Sequence, residues 1–389
     1  MGYDTILEEV ARIAERFASD RKERQRRREL DPADFEDLAK AGFLLTGVPT
    51  EHGGLFENVR RSSRPTAEIL RTLARGDSSV ALVSSMHPAV LAFWMATEQA
   101  DEPHRDDWTA QRAELAGFAA DGAWFGTITS EPGSGGDVSQ TKAKARKGDD
   151  GLWHITGQKH FGSGSGVTSF MLTAARPDGE DGPDWFLFDM RGVPWDGSRG
   201  VKLIAPWDGH GMIATQSHGM MFEDFGGARR SAWPGNWQGL SAAAAPFVGS
   251  LFTAVILGVV EAAMNEARTQ LERKKDALNP YEQVEWSNAE MDAWLMRQAY
   301  EGLLAAVENE PVPLRSVLIG KTTAARLAED CTRRLARIMG GATFGRGSPF
   351  GFWFEDVRAL GFLRPPWPLA YDALIASAWA EGSGGYFGR

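Results

Sequence analysis

The segment TITSEPGSGGD, residues 127–137, places an acid and a proline directly before a loop with three glycines. It follows Trp-Phe-Gly, which is typical of the start of a strand. The loop lacks the Gly-Lys-Ser/Thr ending of a nucleoside-triphosphate loop, and no helix is predicted after it, as Gly-x-Gly-x-x-Gly sites require. Taken alone, such a loop is most often a turn. Its glycines also allow backbone N–H groups to approach a flat ligand.

The residues on either side of this loop predict a helical, then β, then helical order of domains. Residues 1–121 carry apolar side chains at helical spacing, and Asp31 before Pro32 is typical of a helix start. Residues 122–231 break into short β-rich runs separated by glycine, proline and aspartate, which predict a small β domain. Residues 232–389 contain long helical stretches typical of a bundle. The contact between β domain and bundle is a favoured place for a ligand.

The composition is that of an ordinary globular protein, with 43% hydrophobic and 24% charged residues in a chain of 389. A formal charge of −10 and a pI near 5.3 argue against nucleic acid as the main partner. One basic run, RKERQRRREL at residues 21–30, is flanked by acids and continues a helical pattern. We interpret this run as a solvated helix face rather than as a nucleic-acid or targeting patch.

The chain is expected to be cytoplasmic. Cys331 is the single cysteine, so no intrachain disulfide forms and a reducing compartment is favoured. No apolar run is judged to approach the roughly 20 residues that span a bilayer. The N-terminus is acidic and helically periodic, unlike a signal peptide. We therefore expect no membrane span, and we predict no metal site.

Five further segments accompany the glycine loop in a fixed order along the chain. They are LAKAGFLLTGVPTEHGG (38–54), ITGQKHFGSGS (155–165), GMIATQSHGMMFEDF (211–225), LERKKDALNPYEQ (271–283) and RIMGG (337–341). With the loop, this ordered set resembles the acyl-CoA dehydrogenase superfamily over nearly the whole chain. No single segment decides the matter, but the six together are highly specific.

The resemblance implies an α+β multidomain fold: an N-terminal helical domain (1–121), a small middle β-barrel domain (122–231) and a C-terminal four-helix bundle (232–389). It implies FAD as cofactor, held between the β domain and the bundle, with its adenosine end reaching a neighbouring subunit. It therefore also implies a homo-oligomer, either a dimer or a tetramer.

The resemblance also assigns residues to the flavin. Ile128, Thr129 and Ser130 would lie along the flavin ring, while Phe161 would take the place of the family's usual tryptophan. Gly162 and Ser163 would follow on the same strand, with the serine in the place of a threonine. The residues that would meet the pyrophosphate and adenine of the partner subunit's FAD are Arg273, Gln283, Gly340 and Gly341. An arginine suits pyrophosphate, and paired glycines let a backbone approach adenine.

The carboxylate base of the dehydrogenase reaction is missing from both positions where the family carries it. Removal of a weakly acidic proton next to a thioester needs such a base. No acid lies between Asp356 and Asp372, where Arg364 falls near the expected glutamate. The first long bundle helix, from Gln238 to Val260, has no acid either. Gly136 stands where a serine usually helps to place the substrate.

The candidates that could replace the base each have a structural alternative. His218, at an expected substrate-facing position, could be a base or a hydrogen-bond donor, or its ring could be satisfied by nearby backbone. Arg364 could bind an anionic substrate group or form a surface salt bridge. His87 is more readily explained as a buried structural histidine, and Asp372 as a surface acid.

Three functions are compatible with this pattern. The first is oxidation of an acyl-CoA or another small-molecule substrate by an acyl-CoA dehydrogenase-like enzyme of fatty acid metabolism with an atypical base and an electron-transfer partner. The second is a flavin-dependent monooxygenase on the same fold, supplied by a flavin reductase, for which no proton-abstracting carboxylate is required. The third is a non-catalytic flavin-binding partner subunit. The first hypothesis is preferred because of the nearly full-length resemblance.

Overall fold

The computed structural model describes residues 2–149 and 151–379. Its N-terminal part contains the helices α1 (Tyr3–Ser19), α2 (Arg21–Arg24), α3 (Pro32–Lys40), α4 (Val59–Gly76), α5 (Ser78–Met95) and α6 (Arg105–Ala120). The strands are β1 (Phe125–Thr127), β2 (Lys144–Lys147), β3 (Trp153–Gly162), β4 (Phe170–Pro177), β5 (Asp184–Asp189), β6 (Val201–Ala205) and β7 (His218–Arg230). The C-terminal helices are α7 (Trp237–Glu272), α8 (Pro280–Asn309), α9 (Leu314–Met339), α10 (Pro349–Val357), α11 (Ala359–Phe362) and α12 (Trp367–Ala378).

The start and end of α3 follow the local signals in the sequence. The side chain of Asp31 accepts a hydrogen bond from the backbone N–H of Ala33, and Pro32 occupies the first helical position. Gly42 then adopts a left-handed φ of 86° and turns the chain out of the helix. Such a backbone conformation costs glycine little, which is why the helix stops there.

Five of the seven strands close into a barrel, which confirms the predicted β-barrel domain. β4 pairs with β2, β2 with β3, β3 with β7, β7 with β5, and β5 again with β4, so this path returns to its first strand. β1 extends the same edge of β4 in parallel, and β6 adds to β7. Apolar side chains fill the interior, among them Ile155, Met171, Phe186, Phe188 and Phe222. Closure leaves few free strand edges, which stabilises a small sheet.

The long helix α7 is the central element of the C-terminal part. It packs against α4 and α5 on one side and against α8 and α9 on the other. The side chains of α7 from Leu251 to Val260 are all buried, so the helix lies in the core shared by both helical parts. A helix that is apolar all round is expected to be buried in this way.

Two helices are long and apolar enough to cross a membrane: α5 and α7. The expectation that no apolar run approaches that length was therefore wrong. In the structure, 89% of the most apolar stretch of α5 and 83% of that of α7 is buried inside the protein. Their composition is accounted for by packing in the core.

The interpretation of the basic run as a solvated helix face was also wrong in part. The helix α2 ends at Arg24, and Arg24 is buried. Its guanidinium pairs with Asp34 at 2.5 Å and with Asp77 at 2.7 Å, and it lies 3.6 Å from the centre of the Phe17 ring. These ion pairs hold the arginine in the interior. They join residues that are distant in the sequence, so helical periodicity does not predict them.

Asp356 joins the three parts of the chain at one point. This buried carboxylate on α10 accepts hydrogen bonds from the hydroxyl of Ser78, at the start of α5, and from the backbone N–H of Met212, before β7; both distances are 2.6 Å. Burial raises the pKa of Asp356 to about 6, although both hydrogen bonds act in the opposite direction. The junction therefore contains a carboxyl group that is more easily protonated in the folded chain than in the unfolded one.

We expect Asp356→Asn to change the pH dependence of stability. Because the folded pKa lies above the unfolded value of about 3.9, the contribution of Asp356 is fully present below about pH 4 and is lost as pH rises through about 6. From pH 4 to pH 7, the free energy of unfolding of the wild type should fall by about 2–3 kcal/mol relative to Asp356→Asn. Urea titrations at several pH values measure this difference. Asp372→Asn, at an exposed position on α12, is the control. Parallel pH profiles for the wild type and Asp356→Asn would contradict the prediction.

Candidate functional site

The glycine loop and the end of β3 meet through one backbone bridge. The backbone N–H of His160 donates to the carbonyl oxygen of Ser130 at 2.8 Å, so Ser130 lies beside the end of β3, where Phe161 follows. The antiparallel bridge pairs the backbones of Ser130 and His160, and among the described residues the hydroxyl of Ser130 donates to no protein acceptor. The strand segment therefore presents a free hydroxyl next to an aromatic ring.

Phe161 is exposed although it is a large aromatic residue. Its exposed fraction is 58%, and its ring meets the rings of Trp207 and His160 edge to face, with centroids 6.2 and 6.3 Å away. Its backbone has a left-handed φ of 57°. A non-glycine residue in this conformation costs about 1–2 kcal/mol. An exposed ring on a strained backbone is typical of a surface shaped for a ligand.

Backbone strain continues on the loop that leads into β7. Met212 and Gln216 also have left-handed φ angles, 50° and 47°. Thr215 lies between these two residues in the sequence, and Ser217 directly follows them. The hydroxyls of Thr215 and Ser217 are 2.7 Å apart, and the hydroxyl of Ser217 is 2.8 Å from that of Ser163. This buried chain of hydroxyls fixes Ser163 two residues after Phe161.

A buried ion pair anchors the glycine loop to β3. The Lys159 ammonium donates to the Glu131 carboxylate and to the carbonyl oxygen of Ala174, both at 2.5 Å. Glu131 also accepts from the backbone N–H of Lys142 and from the hydroxyl of Thr141. Burial alone would raise the pKa of Glu131, but Lys159 and the other donors outweigh it and hold that pKa below its usual value. The positions of Ser130 and Phe161 depend on this pair.

Arg364 reaches the same strand segment from the C-terminal part. Its guanidinium donates to the carbonyl oxygen of Gly136 at 2.6 Å and to the hydroxyl of Thr129. Gly136 has a left-handed φ of 87°, and a Cβ atom there would lie only 3.0 Å from Pro366, so the two loops fit together tightly. Arg364 thus lies inside the site rather than in a surface salt bridge.

Lys321 holds the segment that carries Arg364. Its ammonium donates to the carbonyl oxygens of Leu363 at 2.8 Å and Pro365 at 2.6 Å, on either side of the arginine. Burial lowers the pKa of Lys321 to about 8. A role for Lys321 was not predicted from the sequence. The residue lies in the buried stripe of α9, which includes Val317, Gly320, Lys321, Ala324 and Ala328. A lysine within an otherwise small and apolar helical stripe was the available signal.

His218 lies beside the end of β3, because it pairs with Gly162 in the sheet. Its Nδ1 accepts a hydrogen bond from the backbone N–H of Trp207 at 2.8 Å, which places the ring proton on Nε2. Burial also lowers the pKa of His218 below its usual value, which favours the neutral ring. This geometry offers a donor at Nε2, whereas the lone pair on Nδ1 that a base would use is already engaged. The proposed role of His218 as a hydrogen-bond donor stays a prediction.

The two other candidates lie outside the site chemistry. His87 is fully buried, with Nε2 2.9 Å from the carbonyl oxygen of Leu44 and Nδ1 accepting from the backbone of Phe125. Its ring is thus satisfied by backbone groups. Asp372 is exposed on α12. Both residues have the structural roles that the sequence analysis favoured.

The residues predicted to meet a partner's FAD lie together at one end of the bundle. Arg273 follows the last residue of α7, Gln283 lies in the first turn of α8, and Gly340 and Gly341 follow α9. Ion pairs from Arg334 and Arg337 near the end of α9 to Glu285 on α8 show that these ends are neighbours. Arg273, Gln283 and Gly341 are exposed and available to another chain.

A groove of about 760 Å³ opens beside Gly340. It is bordered by all three parts of the chain, and several cationic and aromatic side chains line it, including Arg28, His210, Arg337, Phe344 and Arg346. Phe344 is almost fully exposed. The groove extends the Gly340 surface toward the loop that precedes β7.

Comparison with known sequences identifies the family. Residues 3–115 match the acyl-CoA dehydrogenase N-terminal domain, and residues 126–225 match the acyl-CoA dehydrogenase middle domain. The chain belongs to the acyl-CoA dehydrogenase family. The predicted family and fold class are therefore confirmed.

Characterised relatives have other activities. A dibenzothiophene monooxygenase of Mycolicibacterium goodii is 27% identical over 60% of this chain, an alignment that spans only 54% of that enzyme. The amino sugar nitrososynthase DnmZ of Streptomyces peucetius is 24% identical over 92% of this chain and 89% of its own length. Neither name describes oxidation of an acyl-CoA.

Solved structures share the fold over nearly its whole length. FMN-bound TdsC from Paenibacillus sp. A11-2 superimposes with a TM-score of 0.77 at 19% identity, covering 96% of this chain and 97% of TdsC. The butyryl-CoA dehydrogenase of Megasphaera elsdenii superimposes with a TM-score of 0.80 at 18% identity, covering 97% and 98%. The expected cofactor class, a flavin, agrees with the FMN found in the first of these structures.

An alanine variant is usually more stable than a glycine variant at the same strand position. We expect the left-handed backbone at Phe161 to reverse this order of stability. Phe161→Ala keeps the strain, and Phe161→Gly removes it, so the glycine variant should be more stable by about 1 kcal/mol. Thermal or urea unfolding of the two variants measures the difference. The same two substitutions at Ile204, which is exposed on β6, should give the opposite order. A less stable glycine variant at position 161 would show that the backbone there is unstrained.

Proposed function

We propose that this chain is a flavin-dependent monooxygenase of the acyl-CoA dehydrogenase family. The observation that carries the proposal is Arg364, which lies near the expected position of the proton-abstracting glutamate and contacts Thr129 and Gly136. A cation there does not abstract a proton from a thioester, whereas oxygen transfer needs no such base. The names of the relatives, a monooxygenase and a nitrososynthase, support the same direction.

The residues around Phe161 fit a flat flavin ring. The exposed ring of Phe161 offers an aromatic surface, and the hydroxyl of Ser130 suits a carbonyl oxygen of a flavin. A Cβ atom at Gly162 would lie 2.8 Å from the side chain of Ile128, so the two segments pack closely at this glycine. We propose that Ile128, Thr129, Ser130, Phe161, Gly162 and Ser163 hold the ring.

When bound, a reduced flavin supplies the electrons with which dioxygen is activated. The chain itself contributes position and polarity. The Lys159–Glu131 pair fixes the strand segment, and the hydroxyl chain from Thr215 through Ser217 fixes Ser163. His218 can donate a hydrogen bond from Nε2. Gly136 and His218 are the residues that we propose to face the substrate.

FMN and FAD share the flavin ring, but the additional adenosine phosphate of FAD needs its own binding residues. For FAD, we propose that Arg273, Gln283, Gly340 and Gly341 of a second subunit bind the pyrophosphate and adenine, since all four lie at the same end of the bundle. FMN needs none of them. The purified chain is titrated with each flavin at protein concentrations that change its oligomeric state. FAD binding that depends on the oligomer, with FMN binding that does not, separates the two possibilities.

We expect oxygen-dependent product formation and no acyl-CoA oxidation. Loaded with flavin under anaerobic conditions, the protein should keep an oxidised flavin spectrum when butyryl-CoA or longer acyl-CoAs are added, because no free carboxylate is placed as base. With a flavin reductase, NADH and ¹⁸O₂, a product from a panel that includes dibenzothiophene, indole and aromatic carboxylic acids should carry one labelled oxygen atom.

Other outcomes would favour the alternative functions. Anaerobic bleaching by an acyl-CoA would overturn the monooxygenase and restore the dehydrogenase of fatty acid metabolism with an electron-transfer partner. Tight flavin binding without turnover, restored by a co-purified relative, would identify a non-catalytic partner subunit. Oxygen uptake that does not depend on any organic substrate would also count against the proposal.

We also propose that the protein is a homo-oligomer, either a dimer or a tetramer. One face of α8 exposes large apolar side chains at roughly helical spacing: Tyr281, Val284, Met291, Trp294 and Leu295. α12 exposes Tyr371 and Ile375 one turn apart, followed by Trp379. Contiguous exposed apolar side chains of this kind mark interaction surfaces. Two copies of this chain are the proposed occupants, as the family resemblance implies.

We expect Trp294→Glu to weaken the oligomer. A buried charge in an apolar interface should shift the dissociation to at least about tenfold higher protein concentration. Sedimentation velocity measures this shift. Glu290→Asp, on an exposed polar position of the same helix, is the control. A wild-type chain that sediments as a monomer at all concentrations would refute the oligomer.

Two smaller proposals accompany this function. The domain boundaries after residues 121 and 231 stay predictions, and limited proteolysis near these positions tests them. A cytoplasmic location is proposed because the single cysteine, Cys331, is buried and needs no oxidising compartment.

A further inference from the structure

Arg364 is a half-buried cation without an anionic partner among the described residues. Its two hydrogen bonds go to a carbonyl oxygen and a hydroxyl, and among the described residues no carboxylate lies within ion-pair distance of its guanidinium. Two other arginines, by contrast, are paired with carboxylates. Arg24 has Asp34 and Asp77, and Arg230 has Asp184 and Glu180.

The charge of Arg364 persists in spite of its surroundings. Burial lowers its pKa to about 10, and the charge of Asp137 opposes the shift only in part. The carboxylate of Asp137 is engaged with the backbone N–H and hydroxyl of Ser139, at 2.9 and 2.7 Å. Arg364 is therefore positive at neutral pH and uncompensated by direct contact. Such a group is costly to enclose unless an anion joins it.

The fold holds Arg364 in place. Lys321 is tied to the carbonyl oxygens on either side of it, and Pro365 and Pro366 stiffen the chain that follows. Lys321 likewise has no carboxylate partner in the described part of the chain, which adds a second positive charge behind the first. Two bonds occupy two of the five N–H donors of the guanidinium and leave three for another group. A rigid, planar donor set of this kind suits a carboxylate.

We propose that Arg364 binds the carboxylate of an anionic organic substrate, so that the substrates of this site are organic acids. The proposal rests on the proposed flavin site, because the guanidinium contacts Thr129, which adjoins Ser130 on the segment that would follow the flavin ring. The phosphate of FMN is the other oxyanion that could reach the site. We place the carboxylate here because Arg364 contacts Thr129, on the segment proposed to hold the flavin ring, and Gly136, which is proposed to face the substrate.

The test compares acids with their neutral amides. Benzoate, phenylacetate and hexanoate, each paired with its amide, are titrated into the chain loaded with oxidised flavin, and binding is followed by the flavin spectrum and by calorimetry. At least one acid should bind about tenfold or more tightly than its amide, and Arg364→Gln should weaken that acid about 10- to 100-fold while leaving the amide within about threefold. Arg364→Lys should retain part of the preference.

The controls separate a binding role from a structural one. Arg315→Gln removes another half-buried arginine that donates only to neutral groups, the carbonyl oxygen of Leu374 and the hydroxyl of Ser377, and it should leave the acid preference unchanged. Arg364→Gln should not lower the melting temperature, since it removes an uncompensated charge. A lower melting temperature together with unchanged acid binding would make Arg364 a structural tie and overturn the proposal. Equal affinity of acids and amides in the wild type would overturn it as well.

The outcome is independent of the oxygen chemistry. Acid binding is measured with oxidised flavin and without a reductase, so a failed monooxygenase assay does not affect it. If Arg364→Gln weakens FMN about tenfold or more but leaves riboflavin unchanged, the guanidinium holds the flavin phosphate and the carboxylate proposal is wrong. If the chain takes up no flavin, the same acids and amides are compared by calorimetry on the unloaded protein, and an acid preference lost in Arg364→Gln still supports the proposal.

Discussion

The buried ion pair between Lys159 and Glu131 determines where the rest of the site lies. Lys159 precedes Phe161 by two residues on β3, and Glu131 directly follows Ser130 on the glycine loop. Two charged groups are removed from water to make this contact, which is tolerated because further donors and the Ala174 carbonyl oxygen complete the arrangement. One contact thus fixes the spacing between a free hydroxyl and an exposed aromatic ring.

Much of this architecture follows from local chemistry in the sequence. The cap at Asp31, the stop at Gly42, the β-rich runs and the long apolar helices are each encoded within a few residues, and these features were predicted. The ordered motifs predicted the segments around Thr129 and Phe161, because glycines and aromatic residues at fixed separations can be recognised in a single sequence. What was missed depends on contacts between distant segments. The burial of Arg24, the clamp by Lys321 and the bonds from Arg364 to Gly136 join residues that are 10 to more than 200 positions apart.

The charges in the site explain why family membership did not determine the reaction. One fold can carry different reactions, because the residues that contact the reacting molecule can change while the fold is kept. Here a guanidinium lies near the sequence position where the family resemblance predicts a glutamate, and a buried ammonium holds the segment that carries it. The neutral imidazole of His218, with Nδ1 engaged by Trp207, adds a donor rather than a base. All these groups favour binding negative charge over removing a proton.

The position of Asp356 has a consequence for how such enzymes are recombined. Its two oxygens are shared between the beginning of α5 and the loop before β7, so one side chain on α10 serves as acceptor for donors from the helical start and from the barrel. A chimera that takes its barrel from one parent and its tail from another would leave the Met212 amide without an acceptor unless the acid travels with it. The N-terminal helices, the barrel and the C-terminal helices of this chain therefore cannot be exchanged independently of one another at this junction.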